Sequence, residues 1–233
     1  MKEGVEISRD VLIENIKAKA VEILTEVQQE YSQLQAIYLW GSVLTDDFDP
    51  ESSDIDSIAF VDEDTDPELK GQLNNRLGQA LPKLRINLLY PSALNGEAPK
   101  AITRFVSAES LLYDLPNWRH VAGKVFDKTD FALGKVDLES VIDDVRTNVR
   151  NLMERRIKED GEKYPIKGLA RLCYLIHQRN MPFKVFRYGD LIADSTDETR
   201  EVCEKIMMIK RAGYPKGLIM DNLSLFTDFL KEV

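Results

Sequence analysis

Six carboxylates lie between two apolar runs in the stretch LWGSVLTDDFDPESSDIDSIAFV, residues 39–61. Asp54 and Asp56 are separated by one residue, so on a strand they project from the same face, about 6.6 Å apart. Carboxylates at that spacing suit a hard cation such as Mg²⁺, which prefers oxygen ligands and often binds phosphates as well. The residues alone leave two alternatives for this stretch, a metal site or a solvated acidic loop.

Gly41 and Ser42 end the first apolar run and supply groups that suit a phosphate. A residue without Cβ allows a triphosphate to approach the backbone closely, and Ser42 offers a hydroxyl and a backbone N–H. Two metal ions about 4 Å apart can hold the attacking and leaving oxygens of a phosphoryl transfer. We interpret the other acids of the stretch as solvated loop charge: Asp46, Asp47, Asp49 and Glu51.

Hydrophobic periodicity predicts the elements that position these residues. In the first half, apolar residues at helical spacing predict a helix over 9–32, and short apolar runs predict three strands. The strands are expected over residues 36–42, 54–61 and 84–90. A second helix is predicted over 66–81, with Asp66 as N-cap and Pro67 as its first residue. Residues 91–101 are predicted to form a loop.

From about residue 137 the pattern becomes helical. Helices are expected over residues 137–160, 166–180 and 198–213, and again at the C-terminus. The predicted fold class is α+β, with a small mixed sheet flanked by helices and then a C-terminal helical bundle. The predicted domains are residues 1–130 and 131–233.

Composition and charge exclude several classes of protein. The net charge is −9, and residues 1–100 hold 19 acidic and 9 basic side chains. Such a surface repels a phosphate backbone, so an extended nucleic acid is not expected as a partner. No apolar stretch approaches the ~20 residues of a membrane span. With two cysteines and no apolar signal core, we expect a cytoplasmic protein without a disulfide framework.

The order strand, Gly-Ser, loop, Asp-x-Asp, strand resembles the nucleotidyltransferase fold of the DNA polymerase beta superfamily. The sequence pattern GSV…P…SDID within residues 37–61 is most similar to aminoglycoside adenylyltransferases and to minimal nucleotidyltransferases of toxin–antitoxin pairs. The resemblance implies that Gly41 and Ser42 bind a nucleoside triphosphate. It also implies that Asp54 and Asp56 bind Mg²⁺ and are catalytic. A weaker likeness extends over the whole chain, because the adenylyltransferases also carry a helical bundle.

One part of the family pattern is missing from this sequence. The superfamily uses a third carboxylate on a later strand, where it completes the metal site and can act as general base. The strand predicted here presents Arg85 and Asn87 instead, and an arginine can neither bind Mg²⁺ nor serve as a base. Three accounts stay open: a base from elsewhere, such as Glu97 or Glu109; a misassigned strand; or a protein that does not transfer nucleotide.

Two basic residues of the helical half are predicted to contact the nucleotide. Lys167 and Arg171 are four positions apart, on one face of the predicted helix. The adenylyltransferases have a similar lysine near the start of a helix in their bundle, which implies triphosphate binding by Lys167. A solvated basic face is the alternative.

The sequence supports two hypotheses about function. The first is an enzyme that moves a nucleoside monophosphate, AMP from ATP, to a hydroxyl of a small molecule such as an aminoglycoside, or of a protein. The second is a nucleotidyltransferase-fold protein with weak or no activity that binds nucleotide or a protein partner. The two hypotheses are distinguished by whether a third carboxylate lies within reach of Asp54 and Asp56.

Overall fold

The structure is a computed structural model that describes residues 8–45, 48–51, 53–97, 107–153, 164–179, 181 and 186–233. The chain forms two compact units, Met1–Ile102 with Asp114–Gly134 and Thr103–Tyr113 with Lys135–Val233. Relative to the predicted domains, residues 103–113 group with the helical unit and residues 131–134 with the sheet unit. The predicted α+β class, with a mixed sheet, flanking helices and C-terminal helices, is confirmed.

The helices and strands of the described residues follow in chain order. They are α1 (Arg9–Glu30), β1 (Leu34–Trp40), β2 (Ile55–Val61), α2 (Leu69–Ala80), β3 (Leu84–Leu89), α3 (Pro91–Leu94), α4 (Ala108–Asp114), β4 (Arg119–Gly123), α5 (Leu138–Leu152), α6 (Tyr164–Gln178), α7 (Arg200–Arg211), α8 (Lys216–Asp221) and α9 (Leu223–Glu232). The described strands form one sheet in the order β3-β2-β1-β4. β1 is antiparallel to β2 and to β4, whereas β2 and β3 are parallel.

One face of the sheet is covered by α1 and α2. The hydroxyl of Ser8 caps α1 by accepting a hydrogen bond from the N–H of Val11 at 3.4 Å. Both helices turn apolar side chains to the sheet, and alternate strand residues meet them in one core. The core residues include Ala20, Leu24, Val27, Leu73, Leu77, Ile37, Leu39, Ile55, Ala59, Leu84 and Ile86. Strand alternation therefore directs Trp40, Asp56 and Arg85 to the opposite face.

The opposite face carries a layer of aromatic side chains. Phe60 lies at its centre, with ring centroids 5.6 Å from Tyr38, 6.4 Å from Trp118 and 5.4 Å from Phe131. The N–H of Phe126 donates to the hydroxyl of Tyr38 at 2.7 Å, so this buried hydroxyl has a partner. Burial raises the pKa of the Tyr38 phenol. The aromatic layer thus supports β1 and β2 from the face on which Asp56 lies.

The free edge of β3 is covered by one side chain of α2. The side-chain amide of Asn74 donates to the carbonyl of Ile86 at 3.0 Å. The Asn74 side-chain oxygen accepts a hydrogen bond from the N–H of Ile86 at 2.9 Å. Both backbone groups of Ile86 are therefore satisfied at the edge, as a neighbouring strand would satisfy them.

The second unit is helical and has a core of its own. Asp137 caps α5, because its carboxylate accepts from the N–H of Ser140 at 2.9 Å. The helices α5 and α6 approach closely at Gly168, where an added Cβ would lie 2.5 Å from a methyl group of Val149. A glycine is required there by this approach.

Two buried cysteines lie on neighbouring helices of this unit, Cys173 on α6 and Cys203 on α7. His177 and Thr199 are hydrogen-bonded to each other beside them at 2.7 Å. Hydrogen bonds from Cys173 and His177 lower the pKa of the Cys203 thiol, whereas burial raises the pKa of Cys173. Both cysteines are free thiols.

The structure differs from the sequence prediction at several element boundaries. The predicted helix 66–81 begins only at Leu69, because the carboxylate of Asp66 accepts from the N–H of Glu68 at 2.8 Å in a turn before the helix. Pro91–Leu94 is a short helix, where a loop was predicted. The sequence analysis missed α4 and β4, and the sequence of β4, RHVAG, has little strand pattern. The predicted stretches 98–101 and 154–160 lie outside the described residues.

Within the described part of the chain, no helix reaches the apolar length needed to cross a membrane.

Candidate active site

The turn after β1 and the start of β2 meet on the face opposite α1 and α2. Trp40 is the register partner of Asp56, so Gly41 follows directly beside this carboxylate. Gly41 has φ of +76°, and a Cβ added to it would lie 3.7 Å from Oδ2 of Asp56. The backbone at Gly41 therefore borders the Asp56 carboxylate. Ser42 continues into a short 3₁₀ turn, Gly41–Leu44, and its carbonyl accepts from the N–H of Thr45 at 2.9 Å.

Asp54 and Asp56 stand at the beginning of β2. Asp54 is exposed and Asp56 is half-buried. The backbone on either side of Asp54 is held, because the N–H of Ser53 donates to the carbonyl of Asp49 at 2.8 Å and the N–H of Ile55 donates to the carbonyl of Lys83 at 2.9 Å. Asp54 thus has a fixed backbone and a carboxylate that faces water.

The acidic loop before Asp54 is anchored by one aromatic residue. Phe48 is 0% exposed and belongs to the core beneath the sheet. The guanidinium of Arg9 donates to its carbonyl at 3.1 Å, which joins α1 to the loop. The acids Asp46 and Asp47 lie outside the described residues.

On β3, no acid occupies the position at which a third metal-binding carboxylate is expected. Register places Arg85 beside Asp56 and Asn87 beside Ile58. The guanidinium of Arg85 donates to the carbonyl of Leu84 at 2.9 Å and lies 3.5 Å from a Cβ built on Gly78 of α2. Its charged end therefore turns around the sheet edge toward α2.

Of the two downstream acids, Glu97 does not lie beside Asp54 and Asp56 in the sheet unit. β3 ends beside Phe60, at the opposite end of β2 from Asp56. Glu97 follows that end, where its N–H donates to the carbonyl of Ser92 at 2.7 Å. Glu109 is buried in α4 of the helical unit. Among the residues that the structure describes, no three His, Cys, Asp or Glu side chains are grouped as a metal site would require.

The two predicted basic residues lie on α6 of the helical unit. Lys167 is exposed. The guanidinium of Arg171 donates to the hydroxyl of Ser110 at 2.7 Å and to its carbonyl at 3.0 Å. Arg171 therefore joins α6 to α4, a structural contact that the sequence analysis did not anticipate.

Sequence reasoning gave no role to two residues on or beside the start of β2. Ser57 stands where an apolar residue is usual after the second aspartate, and its buried hydroxyl donates to the carbonyl of Arg85 at 2.8 Å. Lys83 precedes β3 with φ of +70°, a conformation that is uncommon for residues other than glycine. A serine within a predicted strand is a weak sequence signal of a special role. The positive φ of Lys83 leaves no signal in the sequence.

Replacing Gly41 by alanine is expected to destabilise the sheet unit. An alanine at φ of +76° has its Cβ against the backbone, which costs about 1–2 kcal/mol. Gly71→Ala is the matched control, because Gly71 lies in α2 with nothing within 4 Å of an added Cβ. The control should gain about 0.5–1 kcal/mol. Urea unfolding measures both changes, and a Gly41→Ala variant as stable as the wild type would contradict the strain argument.

Comparison with known proteins agrees with this geometry. Residues 21–102 match the family model described as "Nucleotidyltransferase domain". This part of the chain is therefore a nucleotidyltransferase domain, and the superfamily predicted from the Gly-Ser and Asp-x-Asp residues is confirmed. A search of curated proteins finds no match.

A solved structure resembles most of the chain. It is the spectinomycin adenyltransferase AAD(9) from Enterococcus faecialis, crystallised with ATP and spectinomycin. The TM-score is 0.54 at 15% sequence identity, over 94% of this chain and 99% of that chain. At this identity the likeness shows the fold alone. It includes the helical part, so the predicted sheet followed by helices is shared with that enzyme.

Proposed function

We propose that this protein transfers AMP from ATP to a hydroxyl group of a small molecule such as an aminoglycoside, or of a protein. The observation that carries the proposal is the position of Gly41 against Asp56, with Asp54 immediately before the strand that carries Asp56. The family match supports nucleotidyl transfer in general. ATP and a small-molecule acceptor are suggested by the enzyme of similar fold, which was crystallised with ATP and spectinomycin.

The residues beside Gly41 suit magnesium. Asp54 and Asp56 offer hard carboxylate oxygens, and Mg²⁺ is usually held by one or two carboxylates together with substrate phosphates and water. We assign Asp54 and Asp56 to hold it. When bound, the ion would neutralise charge on the phosphates. The space left by the missing Cβ of Gly41 allows a phosphate to reach the backbone N–H groups beside Asp56.

In the proposed transfer, the acceptor hydroxyl oxygen bonds to the α-phosphorus of ATP. The bond from that phosphorus to the bridging oxygen breaks, and pyrophosphate leaves. The hydroxyl proton passes to a base. Gly41 and Ser42 orient the phosphates, and we keep Lys167 and Arg171 as the basic residues proposed to contact them. The excess of acid in residues 1–100 favours a cationic acceptor.

A second function is favoured by one observation, the Arg85 and Asn87 side chains at the β3 positions where the family has an acid. In this second function, the domain binds the nucleotide and does not transfer it. Such a protein acts through the conformation or partner that nucleotide binding selects.

Calorimetric titration with ATP, with and without Mg²⁺, tests nucleotide binding, which both functions require. We expect binding that requires Mg²⁺. ATP labelled at the α-phosphate then separates the two, since transfer moves the label to an acceptor and releases pyrophosphate. Label transfer to an aminoglycoside or a protein supports the enzyme, and binding without pyrophosphate release supports the second function. Absence of ATP binding with and without Mg²⁺ would overturn both.

A further inference from the structure

Lys83 lies outside the family motif and is connected both to the start of β2 and to the acidic loop. It lies one position before β3, and the register Ile55↔Leu84 makes it the neighbour of Asp54 across the parallel pair. Its carbonyl accepts from the N–H of Ile55 at 2.9 Å. Its backbone therefore fixes the residue directly after Asp54.

The Lys83 side chain fixes the loop on the other side of Asp54. Its ammonium donates to the carbonyl of Pro50 at 3.4 Å and to the carbonyl of Glu51. A charged donor makes stronger hydrogen bonds than a neutral one. The same residue thus holds the chain before and after Asp54, through its side chain and its backbone respectively.

The conformation of Lys83 indicates that these contacts matter. Its φ of +70° is unfavourable for a residue with a side chain. Such a conformation persists where the surroundings over-determine it, and it is concentrated at functional sites. Glycine or asparagine would adopt the same angle at lower cost, but neither has an ammonium that reaches two carbonyls.

We infer that Lys83 is a positioning residue that fixes the Asp54 carboxylate for magnesium by bridging the acidic loop to the start of β2. This inference rests on the proposed function, in which Asp54 is a magnesium ligand. Lys83 itself touches neither metal nor nucleotide in this role. Residues that orient metal ligands usually affect metal affinity about 10–100-fold when they are replaced.

Three replacements of Lys83 separate the side chain from the backbone. Lys83→Met removes the ammonium and keeps the stem. Lys83→Gly also removes it but relaxes the φ of +70°, so a folding defect from strain cannot explain its phenotype. Lys83→Arg keeps a cation at the end of a long side chain and should restore part of the effect. Lys19→Met is the charge-matched control, because Lys19 is an exposed residue of α1.

The first readout is the Mg²⁺ concentration that half-saturates ATP binding, measured by calorimetry on the full chain. It should rise about 10–100-fold in Lys83→Met and Lys83→Gly, and much less in Lys83→Arg. The melting temperature of Lys83→Gly should stay close to that of the wild type. An unchanged Mg²⁺ requirement in both variants, or an equal rise in Lys19→Met, would overturn the inference.

The second readout is independent of nucleotide. Hydrogen exchange at the amides of Ser53 and Ile55 should accelerate at least about tenfold in Lys83→Met, because the loop loses its charged donor. Equal exchange in wild type and variant overturns the positioning role even if the wild type binds Mg²⁺ and ATP. Failure of the wild type to bind ATP overturns the proposed function, and the exchange result still decides whether Lys83 holds Asp54.

Discussion

Asp56→Asn is expected to weaken Mg²⁺-dependent binding of ATP at least about a hundredfold, with little change in the free energy of unfolding. Replacing groups that only orient a metal ligand already costs about 10–100-fold, so a ligand should cost at least the upper limit. Asparagine keeps the size and one carbonyl oxygen but removes the negative charge that attracts the cation. The half-buried Asp56 lies beside Gly41, so its loss also affects the phosphate side of the site.

Asp54→Asn should show the same dependence on Mg²⁺, and Asp64→Asn is the matched control. Asp64 is exposed and follows the opposite end of β2, so it changes the net charge equally and leaves the site intact. Calorimetry at several Mg²⁺ concentrations distinguishes loss of a ligand from a general change in charge. Wild-type affinity in both Asp54→Asn and Asp56→Asn would remove these residues from the metal site.

Phe48→Ala is expected to lower the free energy of unfolding of the sheet unit by about 3–5 kcal/mol, the usual cost of truncating a buried phenylalanine. The ring is 0% exposed and packs in the core under the sheet, although its residue belongs to the acidic loop. Loss of the ring leaves a cavity and releases the loop that leads to Asp54. The same variant should therefore also bind Mg²⁺ and ATP more weakly.

Urea unfolding with two companion variants tests this prediction. Phe48→Leu keeps most of the apolar volume and should lose much less stability. Val125→Ala truncates a residue that is 69% exposed and should change stability by less than about 0.5 kcal/mol. A Phe48→Ala variant within 1 kcal/mol of the wild type would show that the loop is not anchored by this ring (about a fivefold change in the unfolding equilibrium).

The sequence predicted the parts of this protein that depend on local pattern. The α1 helix and the strands β1, β2 and β3 follow apolar periodicity, and their observed limits lie within two residues of the predicted ones. The Gly-Ser and Asp-x-Asp residues are close in space because two antiparallel strands pair at Trp40 and Asp56. The sequence analysis gave the order of these residues along two strands but not the pairing between the strands.

Other features depend on contacts between residues distant in the chain, and periodicity does not report these. The β4 strand is short and polar, so it becomes a strand only by pairing with β1. Arg85 was predicted to face the acids, but its flexible side chain reaches the carbonyl of Leu84 instead. The role of Lys83 depends on a positive φ and on two loop carbonyls.

The Asn74 contact at β3 has a consequence for how this protein meets other chains. An exposed sheet edge is a template on which a further strand can add, and it promotes aggregation. At the centre of β3, the amide of Asn74 occupies both the donor and the acceptor of Ile86. An incoming strand would have to displace that amide before it could pair. One side chain thus hinders the addition of a further strand at this edge of the sheet.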